Sequence, residues 1–468
     1  MKKNNRTWIY FLQITGAFLM LTYGCEKDEP SELPGLITFE ITEITPTSAK
    51  SGGHIITEGI SPVTARGVCW STSPPPTVDD NKTDDGAGAG IFESRLTSLD
   101  SNTVYFVRAY ATNGLGTSYG NEMIFSTLRY SSIAAGFSHS LALKTDGSLW
   151  AWGSNYYGAI GDGTNLDKST PVQIGSGYSA IAAKGDNSVG LKNDGTLWAW
   201  GNIYNGLLGT GTTFKTNTPV QIGSGYASVA AGGSHILALK TDGSLWACGY
   251  NRLGQLGDGT WEDKQTFVQI GSGYASISGG GAHSLALKTN GTLWAWGDNS
   301  YGQLGDGSTV NRNTPVLIGS GFAVIDAGGT HSLALKTDGT LWAWGNNDLG
   351  QLGDGNATTS YYTSPVRAGS GFISIAAGGS YSVAVKSDST LWAWGYNGDG
   401  QIGDGTTWGD KSTPVNIGTD FLKIAAGGYH NLALKTDGTL WTWGRNTSGQ
   451  LGDGTTADKN KPVQIDIH

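Results

Sequence analysis

Five histidines occupy one position of a recurring motif: His139, His235, His283, His331 and His430, with Asn187 and Tyr381 in the two remaining copies. A second column, Asp162, Asp258, Asp306, Asp354, Asp404 and Asp453, stands in Gly-Asp-Gly, with Thr210 in the odd copy. Histidine and aspartate are the residue types of metal ligation and of general acid–base catalysis, so both columns are weighed first as chemistry. A zinc site needs several donors converging at about 2 Å on one ion. Here each histidine stands alone in its copy, and equivalent positions of a repeat are spread apart. Acid–base work needs two unlike groups held in one asymmetric pocket. Replacement of His by Asn and Tyr suits a hydrogen-bonding role at a Gly-rich turn, and Asp within Gly-Asp-Gly suits the satisfaction of turn amides. No unique Ser/His/Asp or Cys/His set, paired-glutamate signature or phosphate loop stands out from the repeat. The expectation is a non-enzyme with no catalytic residue, no metal and no cofactor.

The elements that carry these columns repeat. Trp-x-Trp-Gly, or its variant, begins at Trp150, Trp198, Trp246, Trp294, Trp342, Trp392 and Trp441, so most of the chain is seven copies of one unit. Each copy holds four short extended pieces; in the fourth they are residues 275–278, 284–288, 292–296 and 315–318. Thr289-Asn290-Gly291 separates the second and third, as Thr-Asp-Gly does elsewhere, and Asn-Gly or Asp-Gly between alternating apolar runs is a strong hairpin signal. Four strands in such a period make one propeller blade, and seven close into a ring with only short protected edges. The first piece is nearly all Ala, Gly and Ile, as the crowded centre of a ring requires, whereas the paired tryptophans belong further out, where blades diverge. Alternate connections then share a face, so the Gly-Gly-x-His turn and the long loop after Trp-Gly open together, opposite the Asp-Gly hairpins.

Composition agrees. Of 468 residues, 74 are Gly and 17 Trp, while charged residues are only 14%, which excludes a disordered chain and favours many tight turns. The net charge of -9 argues against a phosphate-neutralising surface, and no nucleic-acid partner is expected. Cys25, Cys69 and Cys248 lie in three separate segments and build neither a disulfide framework nor a metal site.

At the N-terminus Lys2, Lys3 and Arg6 precede an uncharged run from Thr7 to Cys25, too short for a spanning helix but suited to a signal-peptide core. Leu21-Thr22-Tyr23-Gly24-Cys25 resembles a bacterial lipoprotein signal, in which the cysteine becomes acylated, and Glu26-Lys27-Asp28-Glu29 is similar to the acidic tag that sends some Bacteroidetes lipoproteins to the cell surface. The resemblance implies a signal peptide over 1–24, lipidation at Cys25 with a tether over 25–35, a membrane contact through that lipid, and residence in the cell envelope as a surface-exposed outer-membrane lipoprotein.

Residues 36–128 show strand-like runs at 37–41, 54–57, 65–70 and 103–110, separated by Pro- and Gly-rich turns, which fits an immunoglobulin-like sandwich. Leu99-Asp100-Ser101-Asn102-Thr103-Val104-Tyr105, Arg66-Gly67-Val68-Cys69-Trp70 and Val107-Arg108-Ala109-Tyr110-Ala111-Thr112-Asn113 resemble a fibronectin type III domain of the kind found in Bacteroidetes surface proteins, which implies a spacer.

Across residues 129–468 the pattern Ala-Gly-Gly-x-His-Ser-Leu-Ala-Leu-Lys-x-Asp-Gly-x-Leu-Trp-Ala-Trp-Gly-x-Asn-x-x-Gly-Gln-Leu-Gly-Asp-Gly-Thr resembles the regulator-of-chromosome-condensation repeat family. The resemblance implies a seven-bladed β-propeller. Its members include an exchange factor, a photoreceptor and an inhibitor of β-lactamases, so fold transfers and activity does not. The fold class expected is therefore all-β, a seven-bladed β-propeller with an N-terminal fibronectin type III-like β-sandwich.

Function is sought where the copies disagree. The loops after Trp-Gly carry Tyr156, Tyr157, Tyr204, Tyr250, Arg252, Tyr301, Tyr396 and Arg445, and the stretches after them Trp261, Tyr361, Tyr362 and Trp408. Aromatic residues and arginine are the anchor types of interfaces, and nothing in the repeat dictates them here. They are the candidate binding face, for a protein or glycan ligand of a monomeric module. The rival expectations are a structural or adhesive scaffold without a single partner, a glycan-active enzyme, and an exchange-factor-like regulator.

Overall fold

The computed structural model describes residues 33–43, 47–100, 103–127, 130–202, 215–356, 360–435 and 438–467. Every regular element among them is a strand. The chain divides into two compact units, the larger of which holds all of residues 124–468.

In the N-terminal part, Gly35–Thr38, Ala49–Thr57 and Gly90–Leu96 form one sheet in that order. Asn81–Lys82, Ala65–Ser71, Val104–Asn113 and Gly116–Tyr119 form a second, with Met123–Ser126 also on Val104–Asn113. The sheets meet closely, for a Cβ on Gly53 would stand 2.8 Å from that of Ala109. Tyr105 bends back so that its hydroxyl accepts the Asp100 amide at 2.9 Å. Gly90–Leu96 was not legible as a strand because charged Glu93 and Arg95 interrupt it; Phe92, Ser94 and Leu96 supply its buried face.

The repeats form seven sheets of four antiparallel strands, each taken from one contiguous stretch of chain. In the fourth these are Tyr274–Gly279, His283–Lys288, Thr292–Gly297 and Arg312–Ser320, paired in chain order, with His283 opposite Gly297 and Ser284 opposite Trp296. The first strands of successive sheets touch one another, and that of the last sheet, Phe421–Ala426, touches that of the first, Tyr130–Ala135. They surround a central cavity of about 260 Å³ lined mainly by Ala and Ile, which is a propeller-like arrangement with the small residues innermost.

The core lies between sheets. Leu285, Leu287, Leu293 and Ala295 of the fourth sheet pack on Phe322, Ile325, Ala327 and Trp344 of the fifth. The second Trp of each pair (Trp152, Trp200, Trp296, Trp344, Trp394, Trp443) is fully buried, and its indole donates to a loop carbonyl of the preceding sheet, as Trp296 does to Gln255 at 2.9 Å. The first Trp is half-exposed and lies under a lysine, as Trp294 does under Lys288 at 4.7 Å, with its indole donating to Thr292 in the hairpin turn. Between last and first sheets the same contacts recur: Trp152 to the Gln450 carbonyl, and Leu432 and Leu434 clustered with Ala142 and Trp152. Cys248 takes the buried Trp place in the third sheet, and burial raises its thiol well above the ordinary range.

Candidate binding face

The histidine column is an inter-sheet latch. His139 Nε2 lies 2.8 Å from Ser188 Oγ of the next sheet, and His235–Ser284, His283–Ser332, His331–Ser382 and His430–Ser140 repeat the contact at 2.8–3.0 Å. Each serine already donates its one proton to a carbonyl, as Ser284 does to Gln255 at 2.8 Å, so it accepts from histidine. That fixes the neutral Nε2–H tautomer and leaves Nδ1 of His235, His283, His331 and His430 buried without a partner. Burial holds His139 and His235 near a pKa of about 4, and His283, His331 and His430 near about 3. The hydrogen-bonding role expected of this column exists, but it reaches the neighbouring sheet rather than the local turn. Where the column changes the latch changes with it: Asn187 Nδ2 donates to the Gly233 carbonyl at 3.1 Å, and the Tyr381 hydroxyl to the His430 carbonyl at 2.6 Å.

The aspartate column organises the long loops. In the third copy Asn251 Nδ2 donates to Asp258 at 3.0 Å, and Asp258 accepts the Thr260 amide at 2.9 Å and pairs with Lys264 at 3.5 Å. Burial alone would raise the Asp258 pKa, but Thr260, Asn251 and Lys264 hold it below the ordinary range. Hydrogen-bonded and repeated, these carboxylates build loops.

The framework brings two variable columns together. The residue after each Trp-x-Trp-Gly or its variant (Ser154, Asn202, Tyr250, Asp298, Asn346, Tyr396, Arg445) donates its amide at 2.8–3.0 Å to the carbonyl of the residue before each His-column position (Ser138, Asp186, Ser234, Ala282, Thr330, Ser380, Tyr429). A conserved backbone bond thus places two freely varying side chains side by side in every sheet, on the face where turn and loop were expected to open together.

On this scaffold Tyr156 is 67% exposed and meets Tyr157 edge-on at 4.8 Å, with Lys215 Nζ 5.2 Å from its ring. Arg252 lies 6.0 Å from the Tyr250 ring and pairs with Asp263 at 3.6 Å. Tyr396 and Arg445 converge on Tyr429, at 6.0 and 5.5 Å. Trp261, Tyr301, Tyr361 and Trp408 are exposed, Trp408 at 73%. Tyr361 and Tyr362 belong instead to the outer strand Tyr361–Ser370, where Tyr361 stays exposed opposite Asn346 and Tyr362, opposite Gly345, packs on the core cluster around Trp394. Tyr204 and Cys25 lie outside the described residues. Sequence reading missed Phe137, 46% exposed and 5.3 Å from Tyr429. The signal was present, since Phe137 stands where the other copies have Gly185, Gly233, Gly281, Gly329, Gly379 and Gly428.

A second departure from the repeat lies at the centre. Lys184 replaces a repeated Gly, Asp326 a repeated Ala, and Ser278 another, and the three meet in the cavity. Lys184 Nζ donates to the Ala327 and Ala377 carbonyls at 2.9 and 3.1 Å, while Asp326 accepts from Ser278 Oγ at 2.9 Å and the Ala377 amide at 2.7 Å. Burial raises Asp326 and lowers Lys184, each opposed by the other's charge. Lys184 reaches two carbonyls of distant sheets and Asp326 accepts from two more donors, so this is a clasp across the ring. Asp326→Ala is expected to cost about 1–3 kcal/mol in urea unfolding, because Ser278 and the Ala377 amide lose their acceptor; an unchanged midpoint would contradict the clasp.

The RCC1-like domain profile matches residues 113–421, and regulator of chromosome condensation (RCC1) repeat profiles match 421–450 and 437–467. The crystal structure of Prp20p from Saccharomyces cerevisiae is similar at 27% identity, with a TM-score of 0.58, over 64% of this chain and 80% of that one. Human WBSCR16 shares the fold at 20% identity and a TM-score of 0.63, over 69% of this chain and 94% of that one. The ultraviolet-B receptor UVR8 of Arabidopsis thaliana is 48% identical over 44 residues, 9% of this chain and 10% of its own length.

Proposed function

Since the chain belongs to the RCC1-like domain family, we propose that it is a non-enzymatic binding module: a seven-bladed propeller that takes a protein or glycan ligand on the face carrying the His turns. One observation carries this reading. A fixed backbone hydrogen bond pairs two columns that vary freely, in all seven sheets, while the His, Asp and Trp columns are consumed in holding the sheets together. A surface whose framework is constant and whose paired positions hold Tyr, Arg, Asp and Ser is built for recognition. Binding through this fold has a precedent in Prp20p, characterised for its binding to Gsp1p and histones; those partners are that protein's own.

The two N-terminal sheets, with the Tyr105 hydroxyl on the Asp100 amide, are read as a fibronectin type III-like spacer. The basic start, the apolar run and Cys25 support a lipoprotein anchored in the cell envelope and displayed at the surface, a monomer whose membrane contact is its lipid. The spacer then holds the propeller away from the membrane.

Alanine substitution of Tyr156, Tyr250, Trp261 and Trp408 in the full chain tests the binding face. Capture of ligand from envelope extracts is expected to fall about tenfold or more with the melting temperature unchanged. Undiminished capture would move the interface elsewhere. Protease treatment of intact cells tests the address; the surface reading fails if the chain is cleaved only after lysis.

A further inference from the structure

We propose that Phe137, Tyr396, Asp399, Tyr429 and Arg445 form a binding site for a neutral sugar ring; this rests on the binding-face reading and names its ligand class. Phe137 stands at a position where the fold favours glycine. At the equivalent positions a Cβ on Gly281 would stand 2.5 Å from the Gly329 carbonyl oxygen, and one on Gly329 2.4 Å from that of Gly379. In five copies the amide at this position bonds the carbonyl of the first Gly of the next turn (Gly233 to Gly280 at 2.9 Å, Gly281 to Gly328 at 3.0 Å), whereas the Phe137 amide bonds Gly185, one residue further on, in the copy whose first Gly has become Lys184 and whose Gly185 takes a φ of +56°. The chain places a phenyl ring where six copies have glycine and leaves that ring 46% exposed. Core packing does not explain such a residue.

Around it the neighbouring departures gather. The Tyr429 ring meets Phe137 edge-to-face at 5.3 Å and 81°, and Tyr396 meets Tyr429 at 6.0 Å and 70°. In the six other copies the Tyr429 place holds Ser138, Asp186, Ser234, Ala282, Thr330 or Ser380. Of the three rings Phe137 is the exposed one, and Tyr429 and Tyr396 are half-buried beside it. Arg445 lies 5.5 Å from the Tyr429 centroid; its Nε donates to Thr447 at 3.1 Å, and its terminal nitrogens make no hydrogen bond or ion pair among the described residues. The half-buried Asp399 carboxylate likewise has no such partner there; burial raises its pKa, the Arg445 charge lowers it and Asp458 raises it.

The charges select the ligand. A lysine or arginine of a partner would meet Arg445, and an acidic group would meet Asp399, which has Asp458 close enough to act on it. A polyhydroxylated ring satisfies both, because each hydroxyl donates to the carboxylate or accepts from the guanidinium, while its C–H face lies on an aromatic face. Sites of this kind are mostly apolar with a few convergent polar groups.

The test uses the full chain in native affinity electrophoresis through gels holding neutral polysaccharides (mannan, laminarin, xylan) or acidic alginate. Three variants install residues that other copies carry at the same place, Phe137→Gly, Tyr429→Ser and Arg445→Ser, so loss of fold is not the expected cause of any change, and melting curves check it. Retardation by at least one neutral polysaccharide, weakened about tenfold in Phe137→Gly and Tyr429→Ser and absent with alginate, is the expected result. Equal retardation of all three variants and the parent overturns this site while leaving a binding face elsewhere. No retardation by any neutral polysaccharide, or preference for alginate, overturns the neutral-sugar assignment, and the protein-capture experiment above then judges the face by itself.

Discussion

Acidification from about pH 7 to about pH 5 is expected to destabilise the propeller steeply, and the histidine latches are the reason. In the folded chain burial keeps His139 and His235 unprotonated down to about pH 4, and His283, His331 and His430 down to about pH 3. Unfolded, each titrates near about 6.5. Between those values the unfolded state binds more protons, so stability is fully present above about pH 6.5 and is lost as pH falls through it, until the folded histidines themselves protonate. Each latch loses about 1.4 kcal/mol per pH unit in that window. Five acting together amount to about 10 kcal/mol by pH 5, comparable with the whole stability of an ordinary domain.

The loop aspartates act in a different range. Asp162, Asp258, Asp306, Asp404 and Asp453 have pKa values held below the ordinary carboxylate range, so their contribution disappears only at lower pH, where unfolded carboxylates protonate. Asp326 works the other way, since its raised pKa lets the folded state take up a proton first. Urea unfolding at pH 7, 6 and 5 therefore reads the histidines. His283→Asn, the residue the second copy already carries as Asn187, is expected to lower stability at pH 7 by about 1 kcal/mol through loss of the Ser332 contact, and to flatten the pH dependence by one proton. A parent midpoint that stays level from pH 7 to 5 would contradict the neutral, buried assignment.

How much of this was legible in the sequence depended on repetition. Four strands per unit, the innermost place of the Ala- and Gly-rich strand and the loop role of the aspartates followed from period, residue size and turn chemistry, because each was stated six or seven times. The histidine partner did not follow. A serine one position after the histidine column reads as local, and only the packing of one sheet on the next shows that His283 reaches Ser332. The candidate face was half legible. Tyr396 and Arg445 stood out as aromatic and cationic side chains in loops, but Phe137 and Tyr429 hide inside the motif that looks most like framework. Tyr361 and Tyr362, expected in a loop, both lie in the outer strand, and Tyr362 turns onto the core. Variation read within the motif, as well as between motifs, would have found the cluster.

The same comparison yields the second large effect. Gly280→Ala is expected to destabilise the ring by about 3 kcal/mol or more, since a Cβ there would stand 2.3 Å from His283 Cε1, 2.5 Å from its Nδ1 and 2.9 Å from the Gly328 carbonyl oxygen. Gly136, Gly232, Gly328 and Gly427 are held in the same way by His139, His235, His331 and His430, so glycine here makes room for the imidazole. The chain contains its own control. In the second copy the glycine has become Lys184, and in that copy alone the histidine has become Asn187. The two departures compensate sterically: a side chain enters the Cβ space once the ring leaves it, and Lys184 then extends to the Ala327 and Ala377 carbonyls. Gly280→Ala combined with His283→Asn should therefore recover most of the loss, less the Ser332 contact and the residual pressure on Gly328. The measured coupling between the two changes should be favourable and well above the few tenths of a kcal/mol seen for independent sites. Additive losses would show that the glycine is required by the backbone turn and not by its histidine, and would leave Lys184 and Asn187 as two unrelated substitutions.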